Sequence, residues 1–88
     1  MQIEDRQIIN RCLGGDKAAF SLLVDKYKDS IYASVYTKVN NRRESEDITQ
    51  KVFLHAFREL SKLEHCDDFL GWLQAMTEDI AINKEESQ

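Results

Sequence analysis

The sequence predicts an all-α fold, a compact bundle of four helices. Proline is absent from the 88 residues and glycine occurs only three times, so little interrupts a helix. Hydrophobic residues make up 42% of the chain and recur at helical spacing. Polar pairs suited to turns and caps, Gly14-Gly15, Asn40-Asn41 and Asp67-Asp68, separate these stretches. A chain of this length builds one core, burying roughly 60–65% of the unfolded surface, and reads as a single domain over 1–88 with 84–88 as a frayed tail.

The first helix is predicted over about 3–13, where Ile8, Ile9, Cys12 and Leu13 share a helical spacing and Gly14-Gly15 provides a left-handed stop. Asp16 is expected to cap a long second helix running to about Val39, with Phe20, Val24, Tyr27, Ile31 and Val35 as its apolar stripe. Asn41 stands three residues before Glu44, a capping-box arrangement that would start the third helix. Asp67 or Asp68 should cap the fourth, whose stripe reads Phe69, Leu73, Met76 and Ile80 with Trp72 at its edge.

The third helix has two distinct sides. At about 100° per residue, Val52, Phe53, Ala56 and Leu60 fall on one, while Asp47, Gln50, Lys51, Leu54 and Arg58 fall on the other. A helix serving only the core would normally be polar at Leu54, although single exposed leucines are common. The second face therefore reads either as a solvated surface with one stray leucine or as a contact face built around it.

Charge is uneven along the chain. Residues 1–61 carry ten Lys/Arg against nine Asp/Glu, and residues 62–88 carry two against seven, giving +1 and −5, which sum to the net −4. Catalysis finds no support: there is no carboxylate pair in a recognisable context, and Gly14-Gly15-Asp16-Lys17 lacks the spacing of a phosphate loop. Cys12 and Cys66 are isolated thiols, expected to be reduced, and no His/Cys set has metal-ligand spacing, so neither cofactor nor metal is expected. No apolar run approaches the ~18 residues of a membrane span, and no charged-then-apolar leader opens the chain, which points to a cytoplasmic protein.

Three segments carry a family signature. Leu13–Phe20 reads LGGDKAAF, Ser45–Phe53 reads SEDITQKVF, and Phe69–Leu73 reads FLGWL. In this order and spacing they resemble region 2 of bacterial RNA polymerase sigma factors, most closely the extracytoplasmic-function (ECF) group of the sigma-70 family. The resemblance extends over roughly residues 4–83.

It implies transcription initiation, with the mixed face of the third helix docking on the clamp-helix coiled coil of the polymerase's largest subunit. Asp47 and Gln50 match the family's acidic and glutamine positions; Lys51 departs, standing where glutamate is usual. Asp47, Gln50, Lys51, Leu54 and Arg58 are therefore the expected polymerase-binding residues. The family also binds the melted non-template strand of the promoter's minus-ten element, through the loop before the fourth helix and that helix's exposed face. The corresponding residues are Lys62, His65, Trp72, Asn83 and Lys84, although the position of Trp72 beside the apolar stripe favours a core role and a lone loop histidine such as His65 is more often simply solvated. Here Glu78 stands where the family has arginine and the end of the helix is acidic, so promoter DNA binding by the isolated domain is expected to be weak. Core RNA polymerase, promoter DNA and an anti-sigma factor are the partners implied. A sigma-like adaptor that binds protein without reading DNA is the alternative, and an unrelated helical interaction module is the remaining one.

Overall fold

The computed structural model describes residues 3–65 and 68–86, with side chains described over 4–63 and 68–82. Four α-helices follow one another: α1 over Ile3–Leu13, α2 over Phe20–Val39, α3 over Arg42–Arg58 and α4 over Phe69–Glu86. Short 3-10 segments, Lys17–Ala19 and Leu60–His65, lead into α2 and follow α3. There is no strand among the described residues.

The stops follow from local chemistry. Gly15 takes φ 114°, and three amides in this turn find carbonyls of α1: Gly14 on Asn10 at 3.0 Å, Gly15 on Cys12 at 3.1 Å and Asp16 on Arg11 at 2.9 Å. Asn40 closes α2 at φ 50°, its N–H reaching the Tyr36 carbonyl at 2.8 Å. Extended Asn41 then opens α3 by accepting the Glu44 N–H on Oδ1 at 2.9 Å. Asp68 does the same for α4, its Oδ1 accepting the Gly71 N–H at 3.0 Å; the alternative cap, Asp67, lies outside the described residues.

Two sequence expectations about helix starts need correcting. Asp16 caps nothing, because α2 begins four residues later, at Phe20, and the Asp16 carboxylate instead takes the Arg11 guanidinium at 2.8 Å. The segment read as an open loop from Lys62 is helical through His65.

Helices α2, α3 and α4 pack against one another, and α1 lies on α2 and touches the 60–65 turn. Of the residues expected in the core, Phe20, Tyr27, Ile31, Val35, Val52, Phe53, Ala56, Leu60, Phe69 and Leu73 are buried, whereas Val24, Met76 and Ile80 are half-buried against it. The buried line of α4 is Phe69, Leu73, Thr77 and Ala81. It lies one residue round from the expected stripe, because the Thr77 hydroxyl bonds the Leu73 carbonyl at 2.7 Å and so enters the core without an unsatisfied polar atom. Thr49 is buried in α3 by the same device, its hydroxyl on Ser45 O at 2.7 Å. Leu23, fully buried on α2, and Ile48 and Leu63 complete a core in which the sequence reading had not included them. Cys12 is a buried free thiol whose pKa burial pushes up, with Asp16 adding to the effect; Cys66 lies outside the described residues.

A candidate docking face on the third helix

Asn41 fixes where α3 starts, and Ile48, Val52, Phe53 and Ala56, all buried, fix its rotation. The outward side is then determined. Asp47, Gln50, Lys51, Leu54 and Arg58 are all exposed on it, and Leu54 keeps 55% of its surface in water. An apolar residue so open at the centre of a charged face forms no part of the core.

Leu54 does not stand alone. Beside it, between α2 and α3, runs an apolar groove of about 430 Å³ lined by Phe20, Val24, Phe53, Leu54 and Phe57, with Lys28, Thr49 and Gln50 at its polar end. Its floor includes the edge-to-face pair of Phe20 and Phe57, ring centroids 5.1 Å apart. A second groove of about 500 Å³, lined mostly by charged and polar residues, shares Lys28, Thr49 and Gln50 and continues past Tyr32 to Arg42 and Glu46. Gln50 thus lies where an apolar trough meets a charged one, with both a donor and an acceptor to offer. The ion pairs at the edge, Arg42–Glu46 at 3.7 Å and Lys28–Asp25 at 3.6 Å, join exposed side chains and hold their ends only weakly.

The sequence reading placed this face on α3 alone. The contribution of α2 was missed because Phe20 and Val24 had been read wholly as core; the recurrence of Phe20, Val24 and Lys28 every four residues was the available signal.

The residues expected to meet DNA are less well assembled. Lys62 is exposed, and its ammonium lies 2.6 Å from Glu59, whose carboxyl that hydrogen bond holds below the usual range. Trp72 is half-buried against the core, its ring 5.9 Å from that of Phe69, which favours the packing role over base stacking. The side chains of His65, Asn83 and Lys84 lie outside the described residues. Among the described residues no cluster of three His, Cys, Asp or Glu could hold a metal, and no helix is long and apolar enough to cross a membrane.

This bundle is of a known kind. The family model for Sigma-70 region 2 matches residues 23–84, and the chain belongs to that family. Among curated proteins it is similar to the RNA polymerase sigma-H factor of Pseudomonas aeruginosa, 37% identical over 82 residues, or 93% of this chain and 40% of the relative. It also resembles the ECF RNA polymerase sigma factor SigW of Bacillus subtilis, at 31% over 84 residues (96% of this chain, 45% of the relative), and the ECF RNA polymerase sigma-E factor of Haemophilus influenzae, at 30% over 82 residues (93% and 43%). The chain spans less than half the length of these relatives.

Proposed function

We propose that this domain acts in transcription initiation as the region 2 module of an ECF sigma factor, docking on core RNA polymerase through the outward face of α3 and the adjoining groove. The observation that carries the reading is the exposure of Leu54 next to the apolar trough of Phe20, Val24 and Phe57. A partner helix that inserts an apolar side chain there removes water from both sides, and the flanking polar groups gain strength in the drier interface. Asp47 supplies an acceptor for a partner arginine, Gln50 pairs with either donor or acceptor, and Arg58 reaches a partner acid. The clamp helices of the polymerase's largest subunit, which the family resemblance implies, are the partner assigned. Lys51, where the family has an acid, lowers affinity for a basic partner without altering the apolar anchor.

Contact with the minus-ten strand belongs to the same reading and is weak for the isolated domain, because residues 62–88 carry a net −5. An anti-sigma factor competing for the α3 face is the regulation this arrangement would admit.

The test is binding of the purified domain to a clamp-helix fragment, comparing wild type with Leu54→Glu. A charge placed in the trough should abolish binding and leave the helical circular dichroism unchanged. Equal binding by both proteins would contradict the assignment of the face.

A further inference from the structure

We propose that the apolar trough between α2 and α3 also receives the outer side of α4 from a second copy of this chain, a head-to-tail contact that covers the α3 face while the domain is free. The contact uses the trough assigned above to the polymerase and stands or falls separately from that assignment. Its two halves lie on opposite sides of one molecule. Helix α4 packs on both α2 and α3, burying Phe69, Leu73, Thr77 and Ala81. Its outer side therefore points away from the α2–α3 seam, and no copy can reach its own trough with its own α4.

Shape and charge both point to this occupant. Gly71, Ala75, Glu78 and Ile82 follow one line along the outer side of α4 at helical spacing, small at its start and ending on an isoleucine that is 46% exposed. Small residues let the helix approach closely, and Ile82 is the side chain that can enter a trough walled by Phe20, Val24 and Phe57. Around that trough the charge is positive. Arg43, Lys51 and Arg58 share the exposed line of α3 with Leu54, against the single acid Asp47, and Lys28 stands at the trough's polar end. Around Ile82 it is negative: Glu78 and Asp79 are exposed beside it, and Glu85 and Glu86 follow in the same helix. Glu78 is engaged only by an exposed bridge to Lys38 at 3.5 Å, a weak contact. The two exposed apolar side chains, Leu54 and Ile82, thus lie in fields of opposite sign, so unlike faces attract and like faces repel. Because the faces are on opposite sides, docking leaves one trough and one α4 side free, and copies add in series without closing a two-fold dimer. A small, charge-steered contact of this kind is reversible, and a polymerase that takes Leu54 displaces it.

Sedimentation velocity of the 88-residue chain at low salt, from micromolar to millimolar concentration, tests this. Wild type should sediment faster as concentration rises, with no plateau at the dimer, and high salt should reverse the trend. Leu54→Glu spoils the trough and Ile82→Lys spoils the α4 side; both positions are exposed, so helical circular dichroism should not change. Each variant alone should stay monomeric. Mixed one to one, they should form dimers and nothing larger, since one intact trough then meets one intact α4 side. Lys51→Glu should weaken wild-type association about three- to tenfold. A wild type that stays monomeric throughout, a wild type that stops at the dimer, or a mixture no more associated than either variant alone would each overturn the proposal. Clamp-helix binding, measured in dilute solution, should be lost in Leu54→Glu and kept in Ile82→Lys, so failure of self-association leaves the docking face standing, and failure of docking leaves the sedimentation result intact.

Discussion

The carboxylate of Asp5, in the first turn of α1 and only 2% exposed, accepts a hydrogen bond from the Tyr27 hydroxyl across the α1–α2 contact. Its other oxygen receives the Lys26 ammonium at 2.8 Å. One buried acid, satisfied twice, thus joins α1 to the bundle. Removing either partner strands a polar group in the interior, so Asp5→Ala or Tyr27→Phe should each cost about 1–3 kcal/mol in urea unfolding. Little or no change in either variant would mean the pair is solvated.

The same group gives an alkaline signature. Tyr27 has its pKa pushed above the ordinary 10.0, first by burial and then by the bond to Asp5, and Lys26 is pushed above 10.5 chiefly by its hydrogen bond to Asp5. Both hold their protons more tightly folded than unfolded. Their contribution is therefore whole below the ordinary values and is lost as pH rises through the raised ones. Melting temperature should fall more steeply above about pH 10 in wild type than in Tyr27→Phe, measured by thermal melts from pH 8 upward.

Phe53 bridges the core and the groove, being buried and yet lining the trough. Phe53→Ala should cost about 3–5 kcal/mol, close to the whole stability of so small a domain. Thermal melting would reveal it, and a shift of only a degree or two would mean that α3 is rotated from the orientation described.

Gly71 is a second point of control. A Cβ there would lie 2.3 Å from Asp68 Oδ2, so the methyl of Gly71→Ala has to displace the carboxylate that caps α4. The usual gain of about 1 kcal/mol for Gly→Ala in a helix should be offset by loss of the cap in wild type. It should reappear when Asp68 has already been replaced by Ala. Additive effects in this double-mutant cycle would show that cap and glycine are uncoupled.

Much of this architecture is legible in the sequence, and the failures have identifiable physical causes. The α1 bounds, the Asn41 cap and the inward and outward sides of α3 follow from the spacing of apolar residues and from which side chains can accept a backbone N–H. Asp16 misled because a free carboxylate before a helix can cap it or pair with a cation, and Arg11, five residues back, takes it. The α4 stripe was displaced because Thr77 looks polar in sequence but satisfies its hydroxyl within its own helix. Nothing in the sequence singles out Asp5, since its partners lie more than twenty residues away. The outward face of α3 was visible, yet the groove beside it was not, because a trough between two helices depends on how they pack and not on either periodicity alone.

The central claim, that the α3 face docks on core RNA polymerase, is tested most directly by titrating the domain against a purified clamp-helix fragment with Leu54→Ala and Asp47→Ala beside wild type. Saturable binding is expected in wild type, with each truncation costing about 1–3 kcal/mol of it and circular dichroism unchanged. No saturable binding by the wild-type domain, or truncations that bind as tightly as it does, would contradict the account.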